Sequence, residues 1–462
     1  MRNALWTADE IAQAVGGQVA GDFAATGVSI DTRSVERGDL FVPLVGARDG
    51  HDFVPQAMAN GAAGVLAAKP VDAPAVMVAD TFKALEALGV AARERAPQCK
   101  RGAVTGSVGK TSVTRAVEAG LRLAGKAHAS VKSYNNHIGV PLTLARMPRD
   151  TQRAVFEIGM NHADEITPLS GFVQPHAVAI TTVGPVHIEN FPDGEAGVAR
   201  AKAEIFAGLL PGGIAVLNAD NRWFDYLKGE AEKVGATVWS FGEAPGATAR
   251  LTGFAVEGEG ATVSVDLRGE ALSFPIRQTG VHWGPNSLCV LLMLEALDVP
   301  RETALAALAA FAPIEGRGAE KTVRIGDGTF TLVDESYNAN PVSMQAALKT
   351  LGARKVAGRR IVALTDMLEL GEDSARFHAE LAEPLAAANV DMVFLAGVHM
   401  KSLWEALPPT RRGGYAMVAE KLTAKLAGAI QPGDVVMVKG SNGSKAGLLA
   451  QALAALDLGE RV

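Results

Sequence analysis

Short apolar runs, separated by glycine, proline and polar residues, recur along the whole chain. In the middle third these runs are "AVFEIGM" (154–160), "AVAITTV" (177–183) and "GIAVLNAD" (213–220). A continuous apolar run of this length is typical of a strand that is buried on both faces of a parallel sheet. The pattern therefore predicts three buried parallel strands in this region.

The last third repeats the pattern, with helices between the strands. The apolar runs are "FTLVDE" (330–335), "RRIVALTD" (359–366), "DMVFLAG" (391–397) and "GDVVMVKGS" (433–441), and they alternate with helical stretches such as "SARFHAELAEPLAAA" (374–388). This alternation predicts right-handed crossovers and a parallel sheet. Sites in such sheets lie beyond the carboxyl ends of the strands. Four residues at predicted strand ends are therefore placed near a site: Glu157, Asp334, Asp366 and Ser441.

The length of 462 residues predicts roughly three domains, at about 150 residues per domain. The polar segment "RERAPQCKRG" and the Pro/Gly segment "APIEGRG" mark two boundaries. We predict an α/β protein with three domains. They are a small α/β domain at 1–98, a central P-loop-type parallel-sheet ATPase domain at 99–313, and a Rossmann-like α/β domain at 314–462.

Composition excludes several classes of protein. Apolar residues make up 48% of the chain and charged residues 20%, as in soluble globular proteins. The net charge of −6, without any Lys/Arg-rich run, argues against a nucleic-acid partner. No apolar run approaches the roughly 20 residues of a membrane span, and the first residues do not have the pattern expected of a signal peptide. Cys99 and Cys289 form no pattern, which fits a reducing compartment, so we expect a cytoplasmic protein without membrane insertion.

The stretch "GAVTGSVGKTSVTRAV" (102–117) has the order strand, glycine-bracketed turn and helix. Its end matches a phosphate-binding loop, although the full pattern has glycine where Val104 stands. Only Ala103 and Val104 are apolar before the turn, which predicts a short, weak strand. An ordinary strand–helix connection with a stray lysine is the alternative. As a phosphate loop, its backbone N–H groups would hold phosphates, Lys110 would neutralise charge and Thr111 would ligate Mg²⁺.

Three further residues are candidates for metal binding. Glu157 is a lone carboxylate at the end of an apolar strand, where burial is costly unless the group is paired or metal-bound. His187 follows another apolar run, and Lys202 lies in the helical stretch "ARAKAEIF". The alternatives are a solvent-facing glutamate, a hydrogen-bonded loop histidine and a solvated helix lysine.

Together these residues resemble the Mur ligase family, the ATP-dependent amide ligases that build the peptide stem of bacterial cell-wall precursors. The resemblance covers essentially the whole chain. The family loop, Thr-Gly-x-x-Gly-Lys-[Thr/Ser], is matched in full at 105–111, so Val104 is not a departure. Its Asn-rich segment corresponds to "YNNHIGVPLTL" (134–144). Its acidic metal ligand corresponds to Glu157, its metal-binding histidine to His187 and its CO₂-carbamylated lysine to Lys202.

The resemblance also implies a set of nucleotide-binding residues. The adenine motif Gly-x-His-x-x-x-Asn appears as Gly280, His282 and Asn286, with the departure that Trp283 follows the histidine. The hinge arginine would be Arg317 and the ribose-contacting aspartate Asp334. The ATP-binding residues implied are Thr105, Gly106, Ser107, Val108, Gly109, Lys110, Thr111, Ser112, Asn286, Arg317 and Asp334. Two Mg²⁺ ions are expected on Thr111, Glu157, His187 and carbamylated Lys202, and the catalytic residues would be Lys110, Lys202, Glu157 and His187.

Within the family, three segments resemble the ligase that adds the final dipeptide: "VDESYNANPVSMQAAL", "LTDMLELGEDSARFH" and "VKGSNGSKAGLL". The implied reaction joins D-alanyl-D-alanine to UDP-N-acetylmuramoyl-tripeptide through an acyl phosphate. The segment at 29–53 resembles a uridine-nucleotide-binding segment, so 1–98 would bind the UDP substrate, 99–313 ATP and 314–462 the dipeptide. The implied substrate-binding residues are Asp31, Arg33, Ser34, Asn135, Asn136, Asn338, Asn340 and Ser441. We expect a monomer.

Other functions remain open at this point. A related ligase could add a single amino acid, or act like a folylpolyglutamate-type enzyme. A nucleotide-dependent switch would hydrolyse ATP without an acceptor, but gives no reason for Glu157, His187 and Lys202 to fit one metal pattern. A P-loop kinase accounts for neither the first domain nor the last. The sequence leaves the third residue of the tripeptide open between diaminopimelate and lysine.

Overall fold

The computed structural model describes residues 4–131, 133–258 and 260–457. Within these residues the chain forms three large sheets, which span 18–77, 100–276 and 319–439, and one small two-stranded sheet. The predicted α/β class is confirmed. The domain limits after residues 98 and 313 stay predictions. No helix among the described residues is long and apolar enough to cross a membrane.

The first sheet has the strand order β2-β7-β6-β5-β4, and β1 pairs with β3 beside it. The first helix begins after Thr7, whose side chain accepts from the Glu10 backbone N–H while the Glu10 side chain accepts from Thr7 in return. These two reciprocal hydrogen bonds form a capping box. The strands are β1 (Trp6–Thr7), β2 (Gln18–Ala20), β3 (Ala24–Ala25), β4 (Gly27–Ser29), β5 (Asp39–Phe41), β6 (Gly64–Ala67) and β7 (Ala75–Met77), and the helices are α1 (Ala8–Val15), α2 (Val54–Ala59) and α3 (Thr81–Glu94).

The second sheet has the order β16-β15-β14-β13-β12-β11-β8-β10-β9. The three predicted apolar strands are present as β10, β11 and β12 in its parallel part. An antiparallel meander, β14 to β16, extends one edge and was not predicted. The strands are β8 (Lys100–Thr105), β9 (Ala127–Ala129), β10 (Arg153–Glu157), β11 (Ala177–Ile180), β12 (Ile214–Asn218), β13 (Thr237–Gly242), β14 (Ala249–Glu257), β15 (Gly260–Leu267) and β16 (Glu270–Ile276). The helices are α4 (Lys110–Leu123), α5 (Gly139–Ala145), α6 (Ile166–Val173), α7 (Glu195–Ala203), α8 (Phe224–Lys233), α9 (Trp283–Ala296) and α10 (Arg301–Ala310).

The prediction of a short, weak strand before the phosphate loop is wrong. Strand β8 runs over six residues and lies between β10 and β11 in the sheet. Hydropathy missed its first half because Arg101 is a charged residue with only 6% exposure. Its guanidinium donates to the carbonyl oxygens of Val173 (2.8 Å) and Cys99 (2.9 Å), which satisfies the buried charge. Gly102 packs close to side chains of α9 and offers no hydropathy signal.

The third sheet has the order β17-β18-β22-β19-β20-β21, and it is parallel except for β17. The predicted strands of the last third are confirmed as β18, β19, β20 and β22. The strands are β17 (Ala319–Ile325), β18 (Gly328–Glu335), β19 (Arg360–Thr365), β20 (Met392–Ala396), β21 (Arg412–Ala416) and β22 (Val435–Lys439), and the helices are α11 (Pro341–Ala353), α12 (Ser374–Ala379), α13 (Ala382–Ala387), α14 (Met400–Ala406), α15 (Thr423–Ala429) and α16 (Ala446–Ala454).

Helix α4 connects the phosphate loop to the core of the second sheet. Its apolar side packs on α9, and Leu121 is fully buried in that core. Gly120 makes the close approach possible, because a Cβ there would lie 2.5 Å from a methyl carbon of Leu294. The buried face of α4 therefore fixes the orientation of the helix whose first turn carries Lys110 and Thr111.

We expect the two faces of α4 to respond differently to the same substitution. Leu121→Ala should lower the free energy of unfolding by about 2–5 kcal/mol, because it leaves a cavity in a core that collapses only partly. Leu123→Ala on the same helix is the matched control, since Leu123 is 59% exposed and its change should stay within about 0.5 kcal/mol. Urea denaturation followed by circular dichroism measures both. Equal shifts for the two variants would contradict the assigned packing.

Candidate active site

A cleft of about 430 Å³ opens between the second and third sheets. It lies beyond the carboxyl ends of β8, β10 and β11 on one side and of β18 and β22 on the other, where parallel sheets place their sites. The central wall includes Ser107, Val108, Gly109, Lys110, Thr111, Ser112, Ser133, Asn135, Glu157, His187 and Asn286, and the facing wall includes Arg317, Glu335, Tyr337, Asn338, Asn340 and Lys439. The structure thus brings together most of the predicted nucleotide and metal residues.

The turn between β8 and α4 has the backbone conformation of a phosphate loop. Gly106 and Gly109 adopt φ values of +146° and +87°, which L side chains rarely adopt. Helix α4 begins at Lys110, and no side chain caps it. Its first N–H groups therefore remain for a ligand, and the positive end of the helix dipole points at the cleft. This arrangement suits an anion such as a phosphate.

Contacts with the segment that follows β11 hold the phosphate loop in place before any ligand binds. Thr181 Oγ1 donates to Val108 O at 2.5 Å, and Ser107 Oγ donates to Gly184 O at 3.1 Å. Lys110 Nζ donates to Gly106 O at 2.7 Å, so the ammonium folds back over the loop. Burial lowers the pKa of Lys110 from its usual value. The loop is thus preformed around a cation.

Glu157 is the last residue of β10 and is 1% exposed. Its Oε1 accepts from Asn135 Nδ2 at 2.7 Å, whereas Oε2 has no hydrogen-bond partner among the described residues. A buried carboxylate oxygen without a partner is costly, and a bound cation removes that cost. Thr111 lies in the same cleft, with its hydroxyl 3.2 Å from Ser133 Oγ. These oxygens fit the ligand preference of Mg²⁺.

His187 follows β11 and takes a left-handed conformation with φ of +57°. Its Nδ1 lies 2.6 Å from Oε2 of Glu369, which follows β19 of the third sheet, although the angles are not those of a hydrogen bond. Burial, together with the nearby cations Lys110 and Lys202, lowers the pKa of His187 to about 4. The imidazole is therefore neutral at pH 7, which is the form that ligates metals.

Lys202 lies on α7 and is 2% exposed, so the interpretation as a solvated helix lysine is wrong. Burial, and then the charge of Lys110, lowers the pKa of Lys202 well below its usual value. Burial thus favours the neutral amine, which is the nucleophilic form of a lysine.

Metal binding here would depend on mixed ligand types. Within residues 4–131, 133–258 and 260–457, no cluster of three or more His, Cys, Asp and Glu side chains is arranged to hold a metal ion. The candidate set instead combines a hydroxyl, a carboxylate, an imidazole and an amine. The buried Glu157 oxygen is the observation that makes this set compatible with a cation.

The opposite end of the cleft is formed by the start of α9 and the hinge before β17. Asn286 and His282 line it, and the buried His282 Nδ1 has no partner among the described residues. Trp283 is 3% exposed and packs on Phe311, with ring centroids 5.7 Å apart, so it lies in the core rather than in the cleft. The departure from the family motif at this position therefore leaves the cleft surface unchanged.

Asp334 does not line the cleft. Its carboxylate accepts from the backbone N–H groups of Gly316 (3.1 Å) and Ser336 (3.0 Å), so it fixes the hinge. The adjacent Glu335 lines the cleft instead and pairs with Lys439 at 3.3 Å. Sequence reasoning missed both of these residues. The available signal was the one used for Glu157, a charged residue that ends an apolar strand.

The predicted substrate residues fall into separate places. Asn135 lines the cleft, whereas the Asn136 side chain accepts from the backbone N–H of Gly139, the first residue of α5, at 2.9 Å. Asn338 and Asn340 border both the cleft and a second cavity of about 160 Å³, and Asn340 also caps α11. Ser441 lines only the second cavity and donates to Ala339 O at 3.2 Å. The cavity joins the cleft at His187, Asn338 and Asn340.

The three candidates in the first sheet lie outside both cavities. Asp31 caps a turn at 32–34 and pairs with Arg33 at 2.6 Å. The Arg33 side chain is 87% exposed, and Ser34 Oγ donates to Asp31 O at 3.1 Å. The structure therefore does not bring these residues to the nucleotide cleft, and their binding role stays a prediction.

The fold and the cleft define a class: multidomain α/β proteins with a phosphate loop that faces a second parallel sheet. Three family profiles match the chain: "Mur ligase family, catalytic domain" at 24–105, "Mur ligase middle domain" at 104–294 and "Mur ligase, glutamate ligase domain" at 321–442. The chain belongs to the Mur ligase family.

Several relatives match along nearly the whole chain. The UDP-N-acetylmuramoyl-tripeptide–D-alanyl-D-alanine ligase of Rickettsia prowazekii is 31% identical over 96% of this chain and 98% of its own length. The enzyme of the same name from Escherichia coli is 33% identical over 85% and 86%. The crystal structure of MurF from Acinetobacter baumannii superposes with a TM-score of 0.85 at 28% identity, covering 97% of this chain and 99% of that one.

The loop geometry predicts a specific effect of Gly106→Ala. A Cβ at this position would lie 1.9 Å from Thr181 Oγ1, on a backbone with φ of +146°. The strain and the displaced loop should weaken ADP binding at least about tenfold. Gly246→Ala is the control, since Gly246 also has a positive φ, +82°, but has no atom within 4 Å of its Cβ position. Calorimetric titration with ADP compares the two, and unchanged affinity of Gly106→Ala would contradict the assignment of the loop.

Proposed function

We propose that this ligase joins D-alanyl-D-alanine to UDP-N-acetylmuramoyl-tripeptide with hydrolysis of ATP to ADP and phosphate, in peptidoglycan precursor synthesis. The full-length match to enzymes of that name supports the substrates. The observation that carries the chemistry is the preformed phosphate loop beside the buried, half-satisfied Glu157. A cytoplasmic monomer remains part of the proposal.

The reaction begins with the terminal carboxylate of the tripeptide, which attacks the γ-phosphorus of ATP. An acyl phosphate forms and ADP leaves. The amine of the dipeptide then attacks the acyl carbon, the C–O bond to phosphate breaks, and the amine proton passes to solvent. Both reactants of the first step are anions, so the site must supply positive charge and alignment.

Different residues of the chain bind the phosphates and neutralise their charge. The N–H groups at the start of α4 bind the phosphate chain, and Lys110 neutralises charge on it as it leaves its contact with Gly106 O. Mg²⁺, held by Thr111, Glu157, His187 and the carbamate of Lys202, would supply further positive charge at the transferring phosphoryl group. Two such ions are proposed.

The third sheet provides the facing wall of the cleft. Lys439, whose side chain is 3% exposed, bridges Glu335 and the carbonyl of Asn338. The second cavity, which meets the cleft at His187, is where we place the incoming dipeptide. A closed cleft also keeps water away from the acyl phosphate, which would otherwise be hydrolysed.

Acceptor-dependent release of ADP tests the function. With ATP, Mg²⁺ and UDP-N-acetylmuramoyl-tripeptide, ADP should appear upon addition of D-alanyl-D-alanine and not upon addition of single amino acids. Lys110→Ala should abolish this release, whereas Lys228→Ala, at an exposed lysine of α8, should not. Release with single amino acids would indicate a different ligase of the family. ADP formation without any acceptor would indicate a nucleotide-dependent switch.

Lys202→Ala tests the carbamate. The neutral amine of Lys202 adds to CO₂, forming an N–C bond and releasing one proton, and the product is an anionic oxygen ligand. Loss of this ligand should lower kcat by roughly 10²-fold, the size of effect seen when one electrostatic stabiliser of a transition state is removed. ATP binding should stay measurable. Full turnover of Lys202→Ala in buffers without added carboxylic acids would exclude the carbamate.

NMR spectroscopy can distinguish a carbamylated Lys202 from a Lys202 that has only a structural role. Wild-type protein equilibrated with ¹³C-bicarbonate should show one carbamate signal by NMR that is missing in Lys202→Ala. Lys228→Ala should keep the signal. Loss of activity without any difference in this signal would leave Lys202 as a packing residue.

A further inference from the structure

Tyr337 lies in the turn that follows β18 and is held against the hinge. Its backbone N–H donates to Gly316 O at 3.0 Å, and the Arg317 guanidinium stacks 4.1 Å from its ring centroid. A Cβ on Gly316 would come within 3.0 Å of the Tyr337 Cβ, so the hinge glycine permits this contact. The ring is 39% exposed, yet its position is fixed from two sides.

The phenol hydroxyl of Tyr337 reaches across the cleft. It lies 3.1 Å from Ser133 Oγ, a residue of the central wall that is 204 positions away in sequence. Ser133 Oγ in turn lies 3.2 Å from Thr111 Oγ1, in the first turn of α4. A chain of three hydroxyl groups therefore connects the third sheet to the phosphate-loop helix.

The number of protons on the three hydroxyl groups restricts the order in which they can donate hydrogen bonds to one another. A threonine hydroxyl has one proton and two lone pairs, and it offers both lone pairs to a cation only when the proton is donated elsewhere. Thr111 can donate to Ser133, and Ser133 can donate to the oxygen of Tyr337. In this order the Thr111 lone pairs face the cleft, and the Tyr337 O–H remains available there.

We infer that Tyr337 is a positioning residue that orients Thr111, through Ser133, when the third sheet lies over the phosphate loop. Closure of the third domain would then also orient the Thr111 hydroxyl so that its lone pairs can bind a cation. The inference rests on the proposed function for the meaning of closure. The hydroxyl chain itself is independent of which acceptor the enzyme uses.

Tyr337→Phe tests the inference with little change of shape, because the ring and its contact with Arg317 are kept. The affinity for β,γ-imido-ATP is measured by calorimetry with Mg²⁺ and again with EDTA. The gain in affinity due to Mg²⁺ is the ratio of the affinity with Mg²⁺ to the affinity with EDTA. This ratio should fall about three- to tenfold, which corresponds to the usual free-energy contribution of one hydrogen bond. Binding in EDTA should not change. If Tyr337 had only a structural role, the substitution would lower the affinity equally with Mg²⁺ and with EDTA, or would change neither affinity.

Ser133→Ala and the double variant complete the test. Each single variant should reduce the Mg²⁺-dependent gain, and the double variant should lose no more than the larger single loss, because both break the same chain. Tyr415→Phe is the matched control, since it removes a tyrosine hydroxyl that donates to Gly397 O at 3.0 Å inside the third domain. Its Mg²⁺-dependent gain should equal that of the wild type.

Two results would overturn the inference. One is a Tyr337→Phe protein with the wild-type gain from Mg²⁺, and the other is a double variant whose losses multiply. Failure of the proposed function shows elsewhere, as wild-type protein that releases no ADP with D-alanyl-D-alanine. The binding measurements remain valid in that case, so the two failures are distinguishable.

Discussion

The burial of incompletely paired charge beside the phosphate loop is the constraint on which the rest of the structure depends. Lys202 is 2% exposed, and Glu157, 1% exposed, has one oxygen without a partner among the described residues. Lys110 and Lys202 are close enough for the charge of Lys110 to lower the pKa of Lys202. Such groups oppose folding unless a ligand satisfies them. A phosphate chain with its cations would supply the missing charges, and the surrounding cores offset the cost of burying these groups.

Much of the fold could be predicted because parallel strands buried on both faces give continuous apolar runs. The candidate site could be predicted where its residues are local in sequence, as in the loop at 105–111, or where a charge ends an apolar strand, as at Glu157. The same reasoning failed at β8, because one of the carbonyl oxygens that satisfy the charge of Arg101 belongs to Val173, which is 72 positions away in sequence. Hydropathy records the residue type and not its partners.

The roles of several residues depend on the direction in which the side chain points and not only on the position in the sequence. Asp334 and Glu335 are adjacent on one strand, and alternation sends the first to the hinge and the second to the cleft. Trp283 follows His282 at the start of α9, yet it turns into the core beside Phe311. A motif identifies residues by their positions, and only the backbone geometry shows which of two adjacent side chains faces the cleft.

The parallel strands of the second and third sheets have their carboxyl ends at the same cleft, and this arrangement allows contacts between the two sheets. Residues that follow strands of one sheet can reach residues that follow strands of the other, as Tyr337 reaches Ser133 and Glu369 approaches His187. Each such polar contact contributes only about 1 kcal/mol, because water offers competing partners. A large apolar interface at this place would hold the domains together permanently. Polar contacts of this strength are compatible with the domain closure that we propose, in which the third domain would move away for substrate entry and return to the same geometry around Thr111.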